Sequence, residues 1–295
     1  MMKEKVITLW KDEIATPGNR LCPGCTGGVN WRLVTQVLGK SSILVPAATC
    51  FSFPAIMYPP SLKIPSLYIT MGSASAGASG VGAALRILEK DGKLKEKVNV
   101  FSMGGDGGTA DIGFASLSGA AERNEDMIYI CFDNEAYMNT GIQRSSQTPF
   151  GTWTTSTPLG KPGPKKDLPL IMAAHKIPYV ATVSASYPED MVNKITKARD
   201  IGKGFRYIHF LTPCPTGWRF PDNKSIELGR LAVETGVWPL FEVENGGKRK
   251  LTYKPKPRRP VTDYLGAQGR FRNLKPDEID FIQKDVDEKW REFGL

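Results

Sequence analysis

Five short apolar runs, at 42–48, 98–103, 127–132, 179–184 and 206–211, alternate along the chain with stretches of helical periodicity. Each run is too short to be a helix of its own, and those at 98–103, 127–132 and 206–211 run into Gly, Asp and Thr-Pro, which reads as buried strands. Between them the spacing predicts helices over 29–38, 72–90, 111–122, 168–175 and 189–199. Strand and helix in regular alternation predict an α/β fold with a doubly wound, mostly parallel sheet. Residues 51–70 are proline-rich and irregular, and small residues over 72–84 suit either tight helix–sheet packing or close approach of a cofactor. A loop at 141–166 is long enough to be functional, and its place suggests an active-site cover. From Pro276 the stripe Ile279, Ile282, Val286, Trp290 predicts a terminal amphipathic helix. The expected division is a globular unit over 1–245 and a C-terminal arm and helix over 246–295.

The strand–helix–strand unit at 98–140 carries the densest chemistry. Its first strand runs into Gly104-Gly105-Asp106-Gly107-Gly108, a turn that suits close backbone approach to a ligand. Its second strand ends in Asp133-Asn134-Glu135, so Asp106 and Asn134 each lie just past the carboxyl end of a strand. In an open parallel sheet that rim faces the ligand crevice. A carboxylate, an amide oxygen and glycine N–H groups at a helix start suit Mg²⁺ bound to a diphosphate. A capped strand–helix turn would use the same Asp106. Asn134 placed 28 positions after Asp106, with Asn139 and Thr140 following in another loop, makes the ligand reading the more specific.

There are five cysteines. Cys131 sits inside an apolar strand and reads as a small buried hydrophobe. Cys22 and Cys25 form a Cys-x-x-Cys at a turn into a helix, and Cys50 and Cys214 fall just beyond predicted strand ends. By spacing alone a redox dithiol, zinc and an iron–sulfur cluster remain open, with scattered partners beside a crevice leaning toward the cluster. The two histidines, His175 and His209, lie away from any cysteine in sequence and read as structural.

Charge changes the picture only locally. The formal net charge is +9, but residues 248–259 (KRKLTYKPKPRR) hold seven basic groups and no acid, so the remainder is near +2. The prolines suggest an extended arm that lies on a partner subunit or an acidic electron carrier. A nucleic-acid fold would spread its basic residues over one face with aromatics between them, so no nucleic-acid partner is expected. No apolar run reaches the ~18 residues of a membrane span. The first residues, MMKEKVITLWKDE, carry no apolar signal core, and a cytoplasmic location is expected.

The Gly-Asp-Gly…Asn pattern resembles the diphosphate motif of thiamine-diphosphate enzymes. The longer text DNEAYMNTGIQRSSQTPFGTWTTSTPLGK resembles the β subunit of the pyruvate (2-oxoacid):ferredoxin oxidoreductase family. The resemblance runs over about 17–244 and is densest at 104–160. It implies the diphosphate-domain fold, with Gly105, Asp106, Gly107, Gly108, Asn134, Ala136, Thr140 and Cys50 at the cofactor. Asp106, the Asn134 side chain and the Ala136 carbonyl become Mg²⁺ ligands, and Asn139 becomes the group near the thiazolium ring and substrate. It also settles the cysteines as ligands of a [4Fe–4S] cluster, through LCPGC (Cys22, Cys25), ATC (Cys50) and PCPTGW (Cys214). The activity implied is oxidative decarboxylation of a 2-oxoacid with coenzyme A, electrons passing to ferredoxin.

The glutamate that activates thiamine would come from a separate pyrimidine-domain subunit, and further clusters from a ferredoxin-like subunit, so the chain alone is expected to be inactive. Two places depart from the family pattern. Thr26-Gly27-Gly28-Val29 follows the second cysteine where a Gly and often a Glu or Cys is usual. Met71-Gly72-Ser73-Ala74 stands where an aromatic-Glu-Asn-Ala is usual. Pyruvate is the default substrate, with oxalate, branched-chain and aryl 2-oxoacids as alternatives. The rival readings are a non-redox thiamine decarboxylase, which leaves the loop cysteines without a role, and a zinc-stabilised nucleic-acid-binding protein.

Overall fold

The computed structural model describes residues 13–294, so the reading of the first twelve residues lies outside them. In chain order the elements are α1 (Gly27–Leu38), β1 (Ser42–Pro46), α2 (Phe53–Ile56), α3 (Ala74–Lys90), β2 (Asn99–Gly105), α4 (Phe114–Glu122), β3 (Met127–Asp133), α5 (Leu168–Ala174) and β4 (Tyr179–Ser184). They continue with α6 (Pro188–Ile201), β5 (Phe205–Leu211), α7 (Pro215–Trp218), α8 (Ser225–Glu234), β6 (Phe241–Glu244), β7 (Lys250–Leu251), α9 (Val261–Gly266) and α10 (Pro276–Arg291). The seven strands form one sheet in the order β1-β2-β3-β5-β4-β6-β7. The first five are parallel, as the alternation predicts.

Parallel strands covered on both faces read as continuous apolar runs because neither face meets water. In β3, Ile128, Ile130 and Phe132 pack under α1 and α6. The intervening Met127, Tyr129 and Cys131 pack under α3, α4 and α5. Cys131 is fully buried among these apolar neighbours. The small residues of α3 serve packing: a Cβ on Gly77 would stand 2.6 Å from Ile69 Cδ1 and 3.1 Å from Val45 Cγ1. In α6, Pro188 opens the helix, Glu189 and Asp190 face its positive end, and Gly202 at φ +81° ends it.

The sheet extends further than the apolar runs foretell. β6 is antiparallel to β4, and β7 is antiparallel to β6. The expected boundary at 245/246 therefore falls inside the β6–β7 hairpin. Beyond it, Val261, Tyr264, Val286 and Trp290 share a third apolar cluster with Leu211, Trp218, Leu228 and Trp238. The basic segment folds back on its own chain. Arg249 pairs with Glu292 and Arg258 with Asp287, while Arg259 pairs with Asp263 at 2.7 Å. Among the described residues no helix is long and apolar enough to cross a membrane.

Strand register sets the position of the site. Gly105 pairs with Phe132, and Asp133 with Leu211. The carboxyl ends of β2, β3 and β5 are therefore level, and Asp106, Asn134 and Thr212–Cys214 leave the sheet along one rim.

Candidate cofactor site

A cleft of about 340 Å³ opens at this rim. It is lined by Cys50, Gly105, Asp106, Gly107, Gly108, Asn134, Ala136, Asn139 and Thr140, together with Thr49, Met71, Tyr137 and Met138. Residues distant in sequence, all expected at one cofactor, thus meet in one place. Helical backbone begins at Asp106, so the free N–H groups of the first turn lie beside the cleft. That turn then passes through a one-turn π-helix, Gly108–Ile112, in which Gly113 N–H bonds Gly108 O at 2.8 Å. Such bulges are frequent at functional sites.

The glycines here also make room for the protein's own side chains. A Cβ on Gly107 would stand 2.3 Å from the Tyr137 ring, and one on Gly108 would stand 3.0 Å from Met71 Cγ. The turn is glycine-rich because protein side chains already press on it from outside, whatever ligand it also admits.

One corner of the cleft has cation-site chemistry. The terminal amide atom of Asn134 that faces inward lies 2.9 Å from Asp106 Oδ1 and 2.9 Å from the Ala136 carbonyl. With nitrogen there, the amide donates two hydrogen bonds. With oxygen there, three hard oxygen ligands converge, as Mg²⁺ requires. Asp106 is 1 % exposed, and its other oxygen accepts from Ser145 Oγ at 2.5 Å. Burial, and then the neighbouring Asp133 carboxylate, push Asp106 well above the usual carboxylate range. A divalent cation would offset that buried charge. The residues present fit the metal.

Behind this corner lies a buried ionic network. Lys165 Nζ reaches Asp133 at 2.6 Å and Glu135 at 2.8 Å, and Arg270 reaches Glu135 at 2.6 Å. Burial alone would raise Asp133, but Lys165 and His209 outweigh it and hold its carboxyl below the usual range. His209 Nε2 donates to Asp133 at 2.8 Å while its Nδ1 accepts from the Tyr207 hydroxyl at 2.7 Å, the tautomer that serves both partners. His209 therefore acts within the framework, and His175 meets only Ser118, at 3.2 Å. Glu135 sits at φ +67°, a left-handed conformation that its ion pairs hold in place.

The 141–166 loop supports this network from beneath instead of covering the cleft. Ser145 holds Asp106, and Thr148 Oγ1 donates to Glu135 O at 2.7 Å. Lys161 Nζ donates to the carbonyls of Thr148 at 2.6 Å, Pro164 at 2.7 Å and Ser146 at 3.2 Å. Burial lowers Lys161 to about 8, which still leaves an ammonium at neutral pH to make all three bonds.

The four loop cysteines share one electrostatic neighbourhood. Burial, opposed by the Gly27 N–H and reinforced by the Cys214 and Cys22 thiols, pushes Cys25 up to about 12. Burial and then Cys214, Cys25 and Cys22 do the same to Cys50, also to about 12. Cys214 is raised by burial, against the pull of the Gly217 N–H. Backbone N–H groups point at two sulfurs, Gly27 to Cys25 at 3.4 Å and Gly217 to Cys214 at 3.4 Å. None of the four is in a disulfide. Among the described residues no three His, Cys, Asp or Glu side chains surround the position of one ion. Four thiols within electrostatic reach of one another are a donor set that a [4Fe–4S] cluster would accept, one thiolate on each iron.

Asn139 and Thr140 stand exposed at the cleft mouth, with Thr140 Oγ1 bonded to Gln143 Oε1 at 2.5 Å. Sequence reasoning missed Ser145, Lys165, Trp218 and Arg270. Their signal was faint: two lie in a loop whose length alone marked it, and Arg270 lies 136 positions from Asn134. A second cavity, of about 1210 Å³, lies between the 141–166 loop and α10. Its walls are mainly apolar and aromatic, with Glu135, Lys165 and His209 at its floor, so it lacks the glycine backbone and converging oxygens of the rim cleft.

An α/β sheet with a glycine-rich turn, a three-oxygen corner and a helix N-terminus on one rim defines a diphosphate-cofactor domain. A family model described as the thiamine pyrophosphate enzyme C-terminal TPP-binding domain matches residues 47–210. The pyruvate synthase subunit PorB of Methanocaldococcus jannaschii is 50% identical over 293 residues, 97% of this chain and 98% of that protein. The subunit of the same name from Methanothermobacter marburgensis is 51% identical over 291 residues, 97% and 99% of the two chains. The ketoisovalerate oxidoreductase subunit VorB of Pyrococcus furiosus is 44% identical over 296 residues, 97% and 94%. The 2-oxoglutarate:ferredoxin oxidoreductase from Magnetococcus marinus, solved with 2-oxoglutarate, coenzyme A and succinyl-CoA bound, shares the fold. Its TM-score is 0.63 at 20% identity, over 95% of this chain and 97% of that one. The chain belongs to the thiamine pyrophosphate enzyme family, as a β subunit of the 2-oxoacid:ferredoxin oxidoreductases. It is thus a thiamine-diphosphate-binding oxidoreductase subunit that works within a multi-subunit complex.

Proposed function

We propose that this chain seats thiamine diphosphate through Mg²⁺ held by Asp106, Asn134 and the Ala136 carbonyl. In this reading it oxidatively decarboxylates pyruvate with coenzyme A and passes electrons to ferredoxin through a [4Fe–4S] cluster on Cys22, Cys25, Cys50 and Cys214. The observation that carries it is the rim itself: Asp106, Asn134, Ala136 and Cys50 line the same cleft. When bound, the thiamine cofactor supplies the electron sink that a leaving carboxylate requires.

The remaining roles fall to the chain's own groups. The first-turn N–H groups after Asp106 take diphosphate oxygens. Gly105, Gly107 and Gly108 let that backbone come close to the ligand. Asn139, with Thr140, holds the reacting group at the cleft mouth. Met71 walls the cleft where the usual family pattern is aromatic, so it bears on substrate size. Pyruvate is the default because the relatives at 45–51% identity are named pyruvate synthase subunits, while the same name recurs at 41%, below ketoisovalerate relatives at 43–44%, so the substrate is decided by the test below. In this reading the glutamate that activates thiamine comes from a partner subunit.

The test is an anaerobic visible spectrum of the complex co-purified with this chain. Pyruvate, oxalate and 2-oxoisovalerate are added singly, with and without coenzyme A. Pyruvate is expected to bleach the iron–sulfur absorbance. Bleaching by another of the three replaces pyruvate as substrate, and fresh protein with no such absorbance refutes the cluster.

A further inference from the structure

Arg270 is 1 % exposed, yet one of its terminal nitrogens, Nη1, is buried without a hydrogen-bond partner among the described residues. A buried guanidinium with an unmet donor costs stability, and an apolar side chain of similar size is often neutral or better at such a place. Its surroundings explain why the charge is kept. Nη2 pairs with Glu135, the residue after the Asn134 ligand, at 2.6 Å. The guanidinium lies over the Trp218 ring, 3.8 Å from its centroid. Trp218 Nε1 donates to the Asn134 carbonyl at 2.7 Å, and Trp218 N donates to the Cys214 carbonyl at 2.8 Å. On the same turn a Cβ on Gly217 would stand 2.1 Å from Met138 Sδ, so the residue before Asn139 packs directly on the Cys214 turn.

We infer that Arg270 is a positioning residue that joins the two cofactor sites, holding the Asn134–Glu135 turn and the Cys214 turn together while its charge tunes the cluster's reduction potential. The inference rests on the cluster reading proposed above. The charge count is consistent with it. Asp133 and Glu135 are balanced by Lys165 and Arg270, which leaves Asp106 to its cation. The Trp218 ring, stacked under the guanidinium, separates Arg270 from the turn that carries Cys214. A positive charge there favours the reduced, more negative cluster, and potentials respond to local charge, hydrogen bonding and solvent access.

The test is an anaerobic redox titration of the purified complex, read by electron paramagnetic resonance. The signal followed is the one altered by Cys214→Ser. Arg270→Gln is expected to move its midpoint to a more negative value, and Glu135→Gln, which frees the same guanidinium, to a more positive one. Arg270→Lys, which keeps the charge, is expected to shift less than Arg270→Gln. Loosening that merely admits water would move both glutamine variants the same way, so shifts of one sign, or none in either, overturn the inference. A wild-type complex in which no iron–sulfur signal responds to Cys214→Ser overturns the cluster reading itself, a separate and recognisable failure.

Discussion

At the scale of single residues, the site depends on groups that hold the ligands as much as on the ligands. The Ser145 hydroxyl donates to Asp106 Oδ2 at 2.5 Å while accepting from the Gln147 N–H at 3.1 Å. Supporting partners of this kind commonly change metal affinity by about 10–100-fold when removed. Ser145→Ala is therefore expected to weaken Mg²⁺ binding in the presence of thiamine diphosphate by ~10-fold or more, read from Mg²⁺ titrations of cofactor binding to the complex. Unchanged affinity would show that Asp106 needs no support. Asp106 and Asn134 were legible in the sequence because each follows the end of an apolar run. Ser145 was not, because nothing in a Thr- and Ser-rich loop marks which hydroxyl turns inward. The glycines were only half legible: their density showed a close approach, but not that Tyr137 and Met71 make it.

At the scale of elements, the strands declared themselves because both of their faces are buried, and the short antiparallel pair did not. β6 has four residues and β7 two, too few to show a period. The 141–166 loop is fastened by Lys161 to three carbonyls of its own turns. Replacing the amine by the apolar Lys161→Met leaves those acceptors unmet, each worth about 1–3 kcal/mol when buried. Lys161→Met is expected to destabilise the loop by roughly 3 kcal/mol, seen as faster proteolysis and hydrogen exchange over 141–166. It should also weaken cofactor binding, since the loop bears Ser145. Exchange like that of the unaltered protein would mean that the lysine is dispensable to the loop.

At the scale of the whole molecule, the C-terminal fifth of the chain is part of the body that holds the site. Charge and proline content suggested an arm reaching elsewhere, because composition does not reveal where the matching acids lie. In the fold, Arg249, Arg258 and Arg259 find them on the same chain. Trp290 is 4 % exposed, lies under Arg258, and donates to the Gly236 carbonyl at 2.9 Å. Trp290→Ala should cost about 4 kcal/mol of local stability. The expected readout is a matching rise in hydrogen exchange across α8, α9 and α10 together; a rise confined to α10 would show that the three do not form one unit.

In the proposed function, one sheet rim of this chain carries both the thiamine site and the cluster. The most direct measurement mixes the anaerobic complex with pyruvate and freezes it within a single turnover, for the wild-type protein and for Cys50→Ser and Asp106→Asn. A reduced-cluster signal is expected in the wild-type complex. Cys50→Ser should lose that signal while still binding thiamine diphosphate. Asp106→Asn should retain the oxidised cluster but fail to reduce it. A pyruvate-dependent signal that survives in Cys50→Ser unchanged would place the first electron acceptor on another subunit and contradict the account.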